Sequence, residues 1–243
     1  MKLIQYFCLL LLLVIGVGCE ENMPLTYEGK DAVYIYSTNH TRTTEQTFFL
    51  IPESQERDTI WIQVQLMGKV ASKKRPFVLK QINVAEDNAA ISGIHYVSFD
   101  DSEMSSHLFI EKDCAEVQVP IILLRTPDME LNKYKLVLAI EENEYFAAID
   151  LPYYADYTIM TTAIAVKPSR WDTTWYSLFG EWGSEKMKFI IEATGYTSWD
   201  ESINDSQYKA YLQTKCKTAL YEYNQSHPDE PLTEADGTLV EFP

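Results

Sequence analysis

Alternating apolar and polar positions dominate the first two thirds of the chain. At 58–67, isoleucine, valine and leucine alternate with Trp61, Gln63 and Gln65, a period of two that is typical of a strand with one buried face. Shorter segments separated by turn-like polar clusters lack long helical patterns between them, so we predict an antiparallel β-sandwich and not a parallel α/β fold. The predicted strands are 31–37, 47–51, 58–67, 77–84, 108–111, 116–124, 134–140 and 157–166.

The pattern changes to helical spacing after residue 166. Large apolar residues recur every three or four positions from Trp171 to Trp182, and a better-defined helix is predicted to begin at Asp205 or Ser206 and to end before Pro228. The predicted fold class is therefore mainly β. A β-sandwich domain at 31–166 is followed by a small α-helical C-terminal region at 167–243.

The N-terminal residues have the layout of a secretory signal. Lys2 precedes an apolar run, Leu9–Val17, which is too short and wrongly flanked for a membrane-spanning helix. Small residues lead directly into Cys19, as in a bacterial lipobox, although Gly16 stands where a leucine is usual. We predict a lipoprotein signal peptide at 1–18 and lipidation of Cys19; an ordinary signal peptide with an incidental cysteine is the alternative.

The residues after Cys19 predict where the protein is held. Residues 19–30 are predicted to be a lipidated tether, and lipid chains anchor a protein without a spanning helix. The acidic pair after Cys19 resembles the export signal of Bacteroidota lipoproteins that reach the outer face of the outer membrane. We therefore expect a lipid-anchored, surface-exposed protein of the outer membrane.

Composition and charge narrow the classes of partner. The 243 residues are 46% hydrophobic and 13% aromatic, which excludes intrinsic disorder. The formal net charge is -16, with only 20 lysines and arginines. Nucleic-acid binding and adsorption to an anionic membrane depend on clustered basic residues, so neither partner is expected.

Motifs for catalysis and metal binding are missing from the sequence. The 4 histidines have no metal-binding spacing, and no nucleophile-elbow, Walker or dinucleotide-binding glycine pattern occurs. We therefore predict no catalytic residue, no metal and no cofactor. A glycan- or peptide-cleaving hydrolase remains an alternative, because paired carboxylates meet in space and not in sequence. Outside the signal, Cys114 and Cys216 are expected to be two separate buried thiols, with a disulfide between them as the alternative.

The tryptophans of the C-terminal region have two interpretations. Trp171, Trp175, Trp182 and Trp199 could line a surface that captures a sugar or a peptide side chain. The spacing of the first three favours the alternative, a buried helix stripe. Trp199 lies in a polar stretch and is the better candidate for an exposed ligand-binding residue.

Three segments resemble the Calx-beta motif: a loop at 90–96 containing Gly93 and Tyr96, a strand at 117–121, and an acidic turn feeding a strand at 130–138. Calx-beta domains can bind calcium through acidic loops. Here His95 stands where the motif commonly has Asp, and Lys133 where a further acid is expected. Because calcium takes six to eight oxygen ligands, we expect no calcium site there. Asp100, Asp101 and Glu103 could form one, but a solvated acidic loop is the preferred interpretation.

The order of further motifs resembles an uncharacterised family of Bacteroidota outer-membrane lipoproteins. These motifs are Arg125, Asn143 to Phe146, Lys167-Pro168 with Trp171, and Phe179 to Lys186. Members are typically encoded beside SusC/SusD-type importers. The resemblance implies a non-catalytic accessory subunit of such an importer, capturing or presenting an oligosaccharide or a peptide. A structural or adhesive protein–protein interaction module is the alternative.

Overall fold

The computed structural model describes residues 29–38, 41–149, 151–201 and 203–243. The predicted signal peptide, the lipidation at Cys19 and nearly all of the predicted tether lie outside the described residues. Residues 31–243 belong to one compact unit.

Strands occupy the first part of this unit and form two main sheets. Their bounds are β1 Ala32–Tyr36, β2 Thr43–Thr47, β3 Arg57–Met67, β4 Arg75–Pro76, β5 Val78–Gln81, β6 Phe109–Ile110, β7 Glu116–Leu124, β8 Lys133–Glu141 and β9 Tyr157–Thr162. One sheet has the order β1-β3-β7 and is antiparallel throughout. The other has the order β2-β9-β8-β5, and β4 pairs with β6 in a small third sheet.

The two main sheets bury their inner faces in one core. Ile62 and Val64 of β3 belong to the same buried cluster as Leu136 of β8 and Ile159 of β9. Aliphatic residues at alternate positions of facing strands interdigitate in this way in a β-sandwich. The predicted mainly β fold is confirmed, including its predominantly antiparallel pairing.

The segment at 43–51 differs from the prediction. Phe48–Leu50 forms a 3-10 turn and not a strand, because the Thr47 hydroxyl accepts a hydrogen bond from the Phe49 N–H and closes the chain into a turn. The strand lies just before it, and β2 pairs with β9 in parallel. The sequence of β2, TTEQT, has no apolar alternation, so its pattern gave no sign of a strand.

Most of the helical residues follow the last strand, whereas one short helix lies between β5 and β6. The helix bounds are α1 Ser102–Ser105, α2 Tyr176–Phe179, α3 Ser184–Thr194 and α4 Ser206–Ser226, with a π-helical turn at Trp171–Trp175 and 3-10 turns at Pro127–Glu130 and Pro152–Tyr154. The Asp205 carboxylate caps α4 by accepting two backbone N–H hydrogen bonds. Helix α4 is the second helix expected from the sequence, whereas α3 was not predicted. Within the described ranges, no helix is long and apolar enough to cross a membrane.

Candidate functional site

The tryptophans proposed from the sequence are mostly buried. Trp171 and Trp175 are 0% exposed and Trp199 is 1% exposed, so the expected exposure of Trp199 is wrong. The Trp175 indole donates a hydrogen bond to the Trp199 carbonyl at 2.8 Å, which holds the polar stretch around Trp199 inside the helical core. Trp182 is partly buried against the same cluster. These side chains form the core that unites the helices, as in the buried-stripe interpretation.

The acidic loop that could have held calcium has other structural roles. Asp101 caps α1 by accepting the Glu103 N–H at 2.8 Å, and the Glu103 carboxylate pairs with Arg57 at 2.7 Å. Asp100 accepts a hydrogen bond from Ser98. Across the described part of the chain, no group of three or more His, Cys, Asp or Glu side chains is arranged to hold a metal ion.

His95, one of the two positions that depart from the Calx-beta pattern, is buried against the turn before β8, whereas the other, Lys133, pairs with Glu45 at 3.0 Å. His95 is 2% exposed, its Nδ1 accepts the Ile91 N–H at 3.0 Å, and its Nε2 lies 3.7 Å from the Asp128 carboxylate. The His95 ring stacks on Tyr134 at a centroid distance of 3.8 Å. Burial lowers the pKa of His95, partly offset by Asp128, and the hydrogen bond that Tyr134 donates to Asp128 raises the pKa of Tyr134. This cluster fastens the 91–96 loop to the turn before β8.

The cysteines differ from each other. Cys114 and Cys216 are both free thiols, Cys114 exposed and Cys216 buried. The expectation of two buried thiols is therefore wrong for Cys114, because this residue lies in the turn between β6 and β7, next to Asp113 at a φ of 59°. Burial raises the pKa of Cys216 to about 12, which keeps it protonated and unreactive.

A different tryptophan is open to solvent. Of the 5 tryptophans in the sequence, all of them described, Trp61 alone is exposed, at 59%. It lies on β3, where Ile62 and Val64 face the core, so the alternation of the strand turns Trp61 and Gln63 to the outer face. On that face Gln63 lies between Tyr36 of β1 and Gln118 of β7 in register.

A groove of about 470 Å³ runs beside Trp61, a volume within the usual range for ligand sites, roughly 300–1,000 Å³. Its lining combines aromatic rings, amides and hydroxyls from the five strands β1, β2, β3, β7 and β9 and from the β1–β2 connection. The lining residues are Tyr36, Ser37, Thr38, Thr41, Thr43, Thr44, Trp61, Ile62, Gln63, Gln118 and Tyr157. Among these described residues, none has an ionisable carboxylate, ammonium, guanidinium or imidazole.

Hydrogen bonds hold the walls of the groove in place. Gln63 Nε2 donates to the Glu116 carboxylate at 2.6 Å, which orients the amide and uses one of its several bonding positions. The hydroxyls of Thr44 and Tyr157 are hydrogen-bonded to each other and join β2 to β9, its neighbour in the same sheet. The rings of Trp61 and His107 are nearly perpendicular, with a centroid distance of 6.5 Å. The arrangement can hold a ligand by ring contact and by hydrogen bonds.

The signal for this groove was present in the sequence but was assigned to the strand alone. The alternation at 58–67 already placed Trp61, Gln63 and Gln65 on the face opposite the aliphatic residues. An outward tryptophan flanked by glutamines is a stronger sign of a contact surface than tryptophans at helical spacing, because the latter are the common pattern of a buried stripe. The hydroxyl-bearing wall at 41–44 required the structure, since β2 had no strand pattern.

Comparison with protein families finds one match. The model described as "Domain of unknown function (DUF4843)" matches residues 27–196. No curated protein matches the sequence.

Solved structures with similarity to this chain include three of different kinds. The apo form of the Calx CBD1 domain is 11% identical, with a TM-score of 0.37, covering 56% of this chain and 100% of that domain. Bacteroides thetaiotamicron EndoBT-3987 with Man5GlcNAc product is 8% identical, with a TM-score of 0.35, covering 54% of this chain and 30% of that one. A bacterial adhesin from Mobiluncus mulieris is 12% identical, with a TM-score of 0.26, covering 56% and 58% respectively.

Proposed function

The chain belongs to the DUF4843 family, and from its groove we propose that it is a non-catalytic binding protein that captures an extracellular ligand, an oligosaccharide or a peptide. A lipid on Cys19 holds it at the outer membrane, and it serves there as an accessory subunit of a SusC/SusD-type importer. The observation that carries the binding role is the exposed Trp61 beside a groove of about 470 Å³.

The location of Trp61 supports a contact role over a packing role. The other tryptophans lie in or against the helical core, whereas Trp61 is 59% exposed on β3, the central strand of its sheet. A rigid strand presents a side chain more accurately than a loop does. Exposed aromatic rings of this kind provide large contact area at low entropic cost.

The groups that line the groove support binding without chemistry. Hydroxyls, amides and an indole ring make contacts and hydrogen bonds to a ligand, and they are the polar groups that orient ligands in binding sites. The anchoring and the importer partnership are supported by the sequence, through the apolar run that ends at Cys19 and the motifs shared with surface lipoproteins.

The binding role is tested by calorimetry with neutral and acidic oligosaccharides and peptides. We expect binding of at least one class to weaken about thirtyfold in Trp61→Ala, the loss typical of truncating a central aromatic contact. Tyr211→Ala is the matched control, because Tyr211 is an exposed aromatic residue on α4 (55% exposed) outside the groove. Binding that is insensitive to Trp61→Ala contradicts this site, and turnover of any compound supports a hydrolase instead.

Anchoring and partnership are tested separately. Cys19→Ala is expected to move the protein from the membrane fraction to the soluble periplasmic or secreted fraction; unchanged fractionation contradicts the lipid anchor. Purification through a tag on the native protein is expected to recover SusC- and SusD-like proteins. Recovery of neither contradicts the importer role, and recovery of other surface proteins supports an adhesive module.

A further inference from the structure

The class of ligand is narrowed by how the groove wall is built. Gln63, opposite Tyr36 and Gln118 in register, forms one row of side chains across the sheet. Trp61 begins the next row, on the same face two residues earlier along β3. The face therefore presents a flat ring next to a row of amide and phenol groups. An amide offers two N–H donors and a carbonyl acceptor, which suits neighbouring hydroxyl groups that are both donors and acceptors.

A peptide bound as an added strand is the competing ligand for this wall. β-Strand addition needs a free sheet edge, where backbone N–H and C=O groups are available. Strand β3 pairs with β7 along Arg57–Gln65 but with β1 only along Gln63–Met67, so β1 covers the backbone at Gln63 and does not extend to Trp61. Side chains carry recognition at Gln63, and the peptide probes described below test strand addition at Trp61.

The charge of the groove disfavours ionic ligands. None of the described lining residues has a carboxylate or a basic group, in a chain of which 23% is charged. Charged groups next to the lining are already engaged: the Glu116 carboxylate accepts a hydrogen bond from Gln63, and the Arg42 guanidinium, over the Tyr157 ring, donates to backbone carbonyls. A charged ligand that enters such a groove therefore loses hydration without gaining a free counter-ion. The net charge of -16 further repels anions such as uronates and acidic peptides. The groove therefore matches a neutral molecule rich in hydroxyl groups that also has an apolar face.

Resting on the proposed binding function, we infer that the ligand is an uncharged oligosaccharide. One sugar ring packs its C–H face on the Trp61 indole, and its hydroxyls bond to Gln63, Gln118 and the threonine side chains of the opposite wall. Hydroxyl-bearing side chains at 41–44 face this row across the groove, so one sugar residue meets hydrogen-bonding groups on both sides. Binding forms and breaks no covalent bond.

The test compares four classes of probe by calorimetry with the full mature chain. They are neutral gluco-, manno- and xylo-oligosaccharides, oligogalacturonate, a neutral Gly/Ser/Thr peptide and a lysine-rich peptide. We expect a neutral oligosaccharide to bind, Trp61→Ala to weaken it about thirtyfold, Trp61→Phe to restore part of the affinity, and Tyr211→Ala to leave it unchanged. Tryptophan emission is expected to shift to the blue on binding in the wild type and not in Trp61→Phe.

The outcomes separate this inference from the proposed function. Binding of oligogalacturonate or of either peptide that depends on Trp61, without binding of a neutral oligosaccharide, overturns the inference and leaves the binding function standing. Oligosaccharide binding that is the same in Trp61→Ala and in the wild type overturns the placement of the sugar on Trp61. Absence of Trp61-dependent binding of every probe overturns both.

Discussion

Replacing Asp31 by alanine is expected to destabilise the protein strongly. Arg75 is 5% exposed, and its guanidinium donates to the Asp31 carboxylate at 2.6 Å and to the Lys69 carbonyl at 3.1 Å. It also lies over the Phe146 ring, 4.9 Å from the centroid. Removing Asp31 leaves a buried cation without its counter-charge, which costs about 3–5 kcal/mol of unfolding free energy. For a domain of this size, that corresponds to a fall in Tm of about 6–20 °C.

The measurement is urea denaturation followed by tryptophan fluorescence and circular dichroism, with Glu141→Ala as the control. Glu141 pairs with Lys80 at 2.8 Å, but both side chains are about half exposed, at 50% and 44%. An exposed pair contributes roughly 0–1 kcal/mol. The double variant Asp31→Ala/Arg75→Met is expected to recover part of the loss, because it removes the stranded charge. A loss in Asp31→Ala no larger than in Glu141→Ala would refute this reasoning.

Three further predictions concern acid stability, thiol reactivity and a helix start. Because burial lowers the pKa of His95 below its usual 6.5, the unfolded chain binds the proton first as the pH falls, so the free energy of unfolding decreases below about pH 6.5. In a plot of the urea midpoint against pH, His95→Asn should flatten the slope in this range. An unchanged slope would contradict the prediction. A maleimide should label Cys114 in the folded protein and Cys216 only in urea, since Cys216 is buried with a pKa of about 12. If the folded Cys114→Ser variant were still labelled, the assignment of Cys114 as the exposed thiol would be wrong. Gly183→Ala should cost about 2 kcal/mol in urea denaturation, because its Cβ would lie 1.9 Å from the Glu234 carboxylate that accepts two N–H groups of the first turn of α3. The same loss in a Glu234→Ala background, where that carboxylate is absent, would argue against this contact.

The elements with a strong period were predictable from the sequence. The strand predicted at 116–124 coincides with β7, and α4 begins after Asp205 and ends before Pro228 as expected. In both cases the local pattern and the tertiary burial agree, because one face of the element is apolar along its whole length. The predicted lipidation of Cys19 and the predicted domain limits remain predictions.

The features that the sequence did not predict depend on partners that are distant in the chain. Strand β2 consists of polar residues and exists because β9 pairs with it. Trp199 lies among polar neighbours in sequence but is enclosed by Trp171, Trp175 and Tyr196 in space. Neither fact can be read from a window of neighbouring residues. The groove was missed for the same reason, since its two walls come from segments far apart in the chain.

The parallel pairing of β2 with β9 has a kinetic consequence. Thr44 and Tyr157, whose hydroxyls join β2 to β9 beside the groove, are 113 positions apart in the sequence. Closing so long a loop is slow and is completed only after the nearer strand pairs exist. Trp61 therefore reaches its final surroundings only after β9 has paired with β2. A chain cut short before β9 lacks one wall of the groove and is not expected to bind the proposed ligand.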